Sequence, residues 1–286
     1  MPLPDDLRMR VAGEPDLPSI VALRESVEWA VHDWALRAVL EPPDARCLVV
    51  VDERDEIRGV GSGMSYGALG WVGNMIVAAE HRGRGVGAAI LDGIRAFLDE
   101  RGCTRLELFA TESGRPLYAR HGFALTAPML RAMLPRSTPV EVDPSVEIGE
   151  GDDLEELVAY DTPRFGGDRR RLLGMMANDA ERPLLVARRA GTIAGFAWLR
   201  PDDARLGPVL ADTPAEAASL VAEAFGRAPQ AERFGLNLPS GNAAGTRWLR
   251  RLGIEGLEAW DGHMARGPQV PRREETMYGH LVGALG

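Results

Sequence analysis

Residues 77 to 88 read Val77-Ala78-Ala79-Glu80-His81-Arg82-Gly83-Arg84-Gly85-Val86-Gly87-Ala88, and they concentrate the chemistry open to this chain. Three alternating glycines follow an apolar run and precede a long amphipathic stretch. Glycine there lets successive backbone N–H groups turn inward and lets a ligand approach with no Cβ in the way. The free N–H groups of a helix start then favour an anion, by about 0.3 to 2 kcal/mol from the dipole alone. Arg82 and Arg84 add positive charge, and an arginine fork suits phosphate oxygens. Together Arg82, Gly83, Arg84, Gly85, Val86, Gly87 and Ala88 describe a diphosphate cradle.

Two other chemistries fit less well. Gly83-x-Gly85-x-x-Ala88 satisfies the dinucleotide fingerprint, with Glu107 about 20 residues on. That fingerprint follows the first strand of a βαβ unit, whereas a meander of three strands precedes this one and Arg82 stands directly before the first glycine. Gly63-Met64-Ser65-Tyr66-Gly67 matches the nucleophile elbow of a serine hydrolase, with His263 and His280 as downstream partners. An elbow needs a helix directly after its serine, but Ala68 to Gly73 leads into a strand.

All 33 basic residues among the 286 are arginine. Without lysine there is no Schiff base and no Gly-Lys-Ser/Thr phosphate loop. The length predicts two domains of about 140 residues, and 45% hydrophobic with 26% charged residues is globular composition. A net charge of −9 argues against a nucleic-acid partner and suits a small cationic substrate. Cys47 and Cys103 sit in apolar runs, as free buried thiols of a reducing compartment would, and no metal-ligand spacing is present. No signal region opens the sequence and no apolar stretch approaches the roughly 20 residues of a membrane span. The expectation is a cytoplasmic protein with no membrane association.

A strand must end and a helix begin for the cradle to form, and apolar periodicity supplies both. Strands are predicted over 8–11, 47–52, 57–65 and 71–77, and helices over 17–29 and 33–40. Val86 to Arg101 is a strong helix with Ile90, Leu91, Ile94, Phe97 and Leu98 on one face. Arg105 to Ala110 alternates as a strand, Arg115 to Arg120 is a short helix, and Phe123 to Leu134 supplies two final strands. This order implies an α/β fold, a mixed sheet with helices on both sides.

Pro135 to Pro144 reads as a linker, and the halves across it echo each other. Gly13-Glu14-Pro15-Asp16-Leu17 is matched by Gly149-Glu150-Gly151-Asp152-Asp153-Leu154. Leu48-Val49-Val50 is matched by Leu185-Val186-Ala187, and Leu117 to Phe123 by Trp248 to Ile254. Three matches in the same order indicate a tandem duplication.

These residues resemble the GNAT superfamily of acetyl-CoA-dependent N-acyltransferases. The family's phosphate motif, Arg/Gln-x-x-Gly-x-Gly/Ala, is matched by Arg82-Gly83-Arg84-Gly85-Val86-Gly87. Its strand pattern Leu-x-Val-x-Pro is matched by Met75 to Ala79 with alanine for proline, and its Leu-Tyr-x-x-x-Gly-Phe by Leu117 to Phe123 unchanged. More narrowly, Asp33-Trp34, Trp71-Val72-Gly73 and Gly114 to Tyr118 resemble a tandem-GNAT subfamily with a divergent C-terminal half.

The resemblance implies two tandem domains, each a mixed, mostly antiparallel sheet flanked by helices. They would be a catalytic domain over 1–136, a linker over 137–144 and a degenerate GNAT-like domain over 145–286. It implies that backbone groups of Met75, Ile76 and Val77 hold the pantetheine arm and thioester of acetyl-CoA, and that Tyr118 serves as hydrogen-bond donor to the departing thiolate. The acceptor would be a primary amine of a small molecule, attacking directly in a ternary complex. A homodimer stays open, as does a non-catalytic acyl-CoA sensor, although Tyr118 favours an enzyme.

A primary amine is neutral in only about one molecule in 2,500 at pH 7, so a proton-removal route is useful. No base announces itself among Glu28, His32, Asp33, Glu112 and Asn74, the last as a water-holding group. Asp33 and Trp34 are best placed to choose the acceptor, while Trp29, Tyr66 and Trp71 are either pocket or core aromatics. In the second half Thr213-Pro214-Ala215-Glu216 replaces the glycine loop and Leu249 the tyrosine, so that half is expected not to bind CoA.

Overall fold

The computed structural model describes residues 3–41, 43–151 and 153–286, so Asp152 of the expected repeat lies outside the described residues. In chain order the elements are β1 (Leu7–Val11), α1 (Leu17–Glu25), α2 (Asp33–Leu40), β2 (Ala45–Asp52), β3 (Ile57–Tyr66), β4 (Leu69–Val77), α3 (Val86–Glu100), β5 (Arg105–Phe109), α4 (Arg115–Arg120), β6 (Ala124–Leu125) and β7 (Met129–Pro135). The second half continues with β8 (Val146–Glu150), α5 (Leu154–Phe165), α6 (Arg170–Ala177), β9 (Leu184–Arg189), β10 (Thr192–Arg200), β11 (Arg205–Ala211), α7 (Pro214–Arg227), β12 (Arg233–Pro239), α8 (Ala243–Arg251), β13 (Glu258–Trp260), β14 (His263–Arg266) and β15 (Met277–Gly279). Helix α1 stops earlier than its apolar pattern suggested, because the chain turns through a left-handed Glu28 at φ 57°.

Two compact units result, Met1–Ala124 with Met264–Val270 and Gly283–Gly286, and Leu125–His263 with Pro271–Val282. The first holds a seven-stranded sheet in the order β1-β2-β3-β4-β5-β14-β6, in which β4 and β5 run parallel. The second holds β13-β7-β12-β11-β10-β9-β8 with β15 added on β11, and β11 and β12 run parallel. Both sheets are mixed, mostly antiparallel and flanked by helices.

The division expected from chain order, 1–136, 137–144 and 145–286, is not the division of the sheets. Strand β7, read as the last strand of the first domain, pairs along its whole length with β12, from Pro135↔Arg233 to Met129↔Pro239. Its Ala132 and Leu134 enter the second unit's core. Conversely β14 comes from the far half of the chain and sits beside β5. A strand's alternation fixes which face it buries but not which edge it joins, so the exchange is invisible to local pattern.

One device brings the cradle helix down onto the first sheet. Gly59, Gly61 and Gly63 alternate along β3 and all face α3. A Cβ would lie 2.9 Å from Val86 Cγ1 at Gly59, 2.5 Å from Met75 Sδ at Gly61 and 2.8 Å from Ile94 Cγ2 at Gly63. The facing helix residues Val86, Ile90, Leu91, Ile94, Phe97 and Leu98 are buried. Gly61→Ala must therefore push the stiff Ile90 side chain outward, an overpacking cost of about 1 to 3 kcal/mol. Thermal denaturation should show Tm lower by several degrees, whereas Gly102→Ala, in open space, should lose only its positive-φ preference.

Candidate active site

Strand β4 meets β5 only from Leu69↔Arg105 to Trp71↔Glu107. Its pairing with β3 shifts register between Gly73 and Ile76, and Asn74 there sits at φ 54°, a one-residue bulge. The Ala78 N–H donates to Arg58 O at 2.9 Å on the β3 side. By strand alternation Ile76 also faces β3, while the peptide groups of Met75 and Val77 face the side from which β5 has parted. The strand thus offers backbone hydrogen-bonding groups along an opening at Met75 and Val77, whereas Ile76, also expected to hold the thioester arm, turns its peptide groups to β3.

The cradle follows directly. Gly83 and Gly85 are left-handed at φ 75° and 85°, a conformation that costs other L-residues roughly 1 to 2 kcal/mol. Helix α3 closes its first backbone bond only at Ala89, whose N–H donates to Gly85 O at 3.0 Å. Among the described residues the six N–H groups of Gly83, Arg84, Gly85, Val86, Gly87 and Ala88 donate to no backbone carbonyl and no side chain caps them. A helix N-terminus extended by a glycine turn with unengaged donors fits a diphosphate.

The two arginines differ. Arg82 is exposed and its Nε donates to Val77 O at 3.1 Å, which fixes its stem over the end of β4. Arg84 gives its Nη2 to both carboxylate oxygens of Asp6, at 2.7 and 3.0 Å, and holds that carboxyl below the usual range. Its guanidinium is already engaged, which leaves only its backbone N–H for the expected phosphate role.

Tyr118, on α4, is buried at 6% exposure and packs edge-on against Phe123 at 6.0 Å between ring centroids. Its hydroxyl has no hydrogen-bond partner among the described residues, and burial pushes the phenol above its ordinary pKa. The neighbouring Leu117 reaches towards Gly87, where a Cβ would lie 3.4 Å from Leu117 Cδ2, so α4 packs on the cradle. Glu107 lies 1% exposed in an ion pair with Arg105 at 2.8 Å, which removes it as a ribose ligand. Ser65 lies within β3 and accepts from Cys103 Sγ at 3.3 Å, not at a strand-to-helix elbow. Both cysteines are free, and burial pushes Cys47 up to about 12.

Asn74 is spoken for. Its Oδ1 accepts from Arg24 Nη1 at 2.5 Å and its Nδ2 donates to Ser62 Oγ at 2.9 Å, so it has little left with which to hold a water. Asp33 is exposed at the first residue of α2, Glu28 and Glu112 are exposed, and His32 is half-buried with its ring 6.0 Å from Trp34. No hydrogen bond links Tyr118, Asn74 and Asp33. Tyr66 and Trp71 take the core outcome, since both are buried and bond the segment Gly283–Gly286 of the same unit. Trp71 Nε1 donates to Gly283 O at 2.9 Å, and the Tyr66 hydroxyl donates to Leu285 O.

Sequence reasoning passed over Arg24. It falls on the apolar stripe of α1, four residues after Ile20 and seven after Leu17, where the period calls for a core side chain. A charged residue on that stripe was the available signal.

The second unit has the same parts with the site closed. At the start of α7 the Thr213 hydroxyl accepts from Ala215 N–H at 3.1 Å and the Glu216 carboxylate accepts from Thr213 N–H at 3.0 Å, so donors that would meet a phosphate already have protein partners. Leu249, at the tyrosine position, is buried. Strands β11 and β12 pair only at Arg205↔Gly235, and β15 enters beyond, with Val209↔Gly279 on β11 and the His280 N–H donating to Asn237 O of β12 at 2.6 Å.

Two matches to the Acetyltransferase (GNAT) domain family cover residues 43–125 and 157–279. An uncharacterized N-acetyltransferase of Bacillus subtilis, YitH, is 26% identical over 160 residues, covering 54% of this chain and 56% of its own length, so the match spans about half of that relative. A candidate acetyltransferase of Pyrococcus horikoshii superposes with a TM-score of 0.80 at 21% identity, over 100% of this chain and 98% of its own. A GCN5-related N-acetyltransferase of Sphaerobacter thermophilus gives 0.65 at 18% identity over 95% and 99%. These likenesses show the shared fold. With a GNAT match in each half, the chain belongs to the GNAT acetyltransferase superfamily as a tandem GNAT-type protein.

Proposed function

We propose that the first unit binds acetyl-CoA and transfers its acetyl group to a primary amine of a small molecule by direct attack in a ternary complex. The observation that carries this reading is the run of six unengaged N–H groups from Gly83 to Ala88, set beside a β4 edge that β5 has left. The cradle would hold the diphosphate, and the open peptide groups of Met75 with the N–H of Val77 the thioester arm. Asp33 and Trp34 would border the acceptor, and Asn74, fixed by Arg24 and Ser62, would act by shaping the bulge.

Tyr118 supports transfer over mere binding. A phenol of raised pKa with no protein partner stays protonated and would donate to a developing thiolate rather than give up its proton. The second unit would bind no CoA, since its corresponding opening holds β15. Titration calorimetry with acetyl-CoA and steady-state release of CoA thiol against a panel of primary amines test the reading. Saturable binding with amine-dependent release is expected. Binding without release for any amine would instead mark an acyl-CoA sensor, and no binding would sink both.

A further inference from the structure

Five arginines among the described residues are buried to nine-tenths or more: Arg24, Arg105, Arg164, Arg169 and Arg200. Four have a carboxylate partner, Glu107 at 2.8 Å, Asp212 at 2.5 Å, Asp161 at 2.5 Å and Asp203 at 3.4 Å respectively. Arg24, 9% exposed, has none. Its Nη1 donates to the Asn74 amide oxygen and its Nη2 to Ala30 O, both at 2.5 Å, and its guanidinium lies 5.6 Å from the Trp29 ring centroid. Its Nε is buried with no partner.

A guanidinium has five N–H donors, and two neutral oxygens leave its charge without a counterion and its buried Nε–H unanswered. Holding such a charge away from water without a counterion is costly, a cost that an arriving anion would offset. Desolvation alone accounts for the depressed pKa of Arg24, with no acidic side chain opposing it. The position gives this charge its use. Asn74, which Arg24 grips, directly precedes Met75, the first of the residues proposed to hold the thioester arm.

We infer that Arg24 is the anchor for a carboxylate on the acceptor, so that the substrate class is an amine that also carries a carboxylate. This rests on the acetyl-transfer reading above and names the acceptor for that same site. One positive charge among neutral amide and hydroxyl neighbours balances a monoanion, whereas a phosphate dianion would be left half unanswered. Bound through its carboxylate, the acceptor would have its amine turned to the bulge of β4, beside the thioester position.

The test compares propionate with its uncharged isostere propionamide, at equal ionic strength, by thermal shift of the protein with and without CoA. Propionate is expected to raise Tm saturably and propionamide not to. Arg24→Gln should abolish the difference and Arg24→Lys should keep part of it. In turnover, phenylalanine, tryptophan and histidine are set against phenethylamine, tryptamine and histamine. The acid of at least one pair should be favoured in kcat/KM by about ten- to a hundredfold, as a charge-assisted bond implies, and Arg24→Gln should level that pair. Propionate no better than propionamide on the wild-type protein would overturn the inference without any turnover. So would a preference for the acid that survives in Arg24→Gln. Acetyl-CoA calorimetry run alongside separates the two ideas, since lost acetyl-CoA binding strikes the transferase reading and leaves the propionate comparison standing.

Discussion

Gly85→Asp is expected to leave the fold intact and raise the Kd of acetyl-CoA by about a hundred- to a thousandfold. Gly85 is the residue before α3 and sits at φ 85°, ψ −4°. Aspartate tolerates the left-handed region better than most residues and is a favoured helix cap, so its strain of roughly 1 kcal/mol is largely offset. Tm should stay within a few degrees. In the cradle, however, the new carboxylate would stand beside the diphosphate. Two like charges about 5 Å apart at an effective dielectric of about 20 repel by roughly 3 kcal/mol. Gly85→Asn has the same shape without the charge and should cost about tenfold or less. Calorimetry on the three proteins, repeated at raised salt, checks this. Equal loss in the Asp and Asn variants would mean that bulk, not charge, was being read, and no loss in either would remove the cradle as the diphosphate site.

Tyr118→Phe is expected to lower kcat about ten- to a hundredfold, a donor effect of roughly 1.4 to 3 kcal/mol, while the acetyl-CoA Kd stays within about twofold. Because the hydroxyl has no protein partner, its removal strands nothing, and Tm should be unchanged or slightly higher. The pH behaviour discriminates further. Burial raises the folded pKa above the reference value of 10.0, so the neutral phenol persists through the neutral range and the shape of the pH–rate profile below pH 10 should not change in the variant. The stability linked to that proton is fully present below the unfolded value and is lost as pH rises past it, so Tyr118→Phe should also soften unfolding above pH 10. A profile whose alkaline limb disappears with the hydroxyl would identify Tyr118 as a titrating acid or base instead.

The cradle and the helix behind it were legible because their signals are local. Alternating glycines, the 3.6-residue apolar stripe from Ile90 to Leu98 and the tyrosine before Gly122-Phe123 each lie within one or two turns of chain. The seat of α3 was legible in principle too, since Gly59, Gly61 and Gly63 alternate as only a strand permits. What stayed hidden depends on partners distant in sequence. The alternation of β7 says nothing of β12, a hundred residues on, and the short run Met277–Gly279 carries no mark that it fills an opening between β11 and β12. The state of Arg84 was hidden likewise, because its partner Asp6 lies 78 residues back.

The exchange of β7 and β14 also sets a timetable. Strand β5 is complete at residue 109, yet its outer neighbour β14 begins at residue 263, about 150 residues later. At ribosomal speeds of about 5 to 20 residues per second, the nascent first sheet waits roughly 8 to 30 s with that edge unpaired. Until then β6 has no strand to join, since β14 lies between it and β5. An open edge is a template for other chains, so the newly made half is most vulnerable to aggregation while the other half is still being translated. The two halves are therefore bound to a single act of synthesis, and the first sheet is finished only after β14 has emerged.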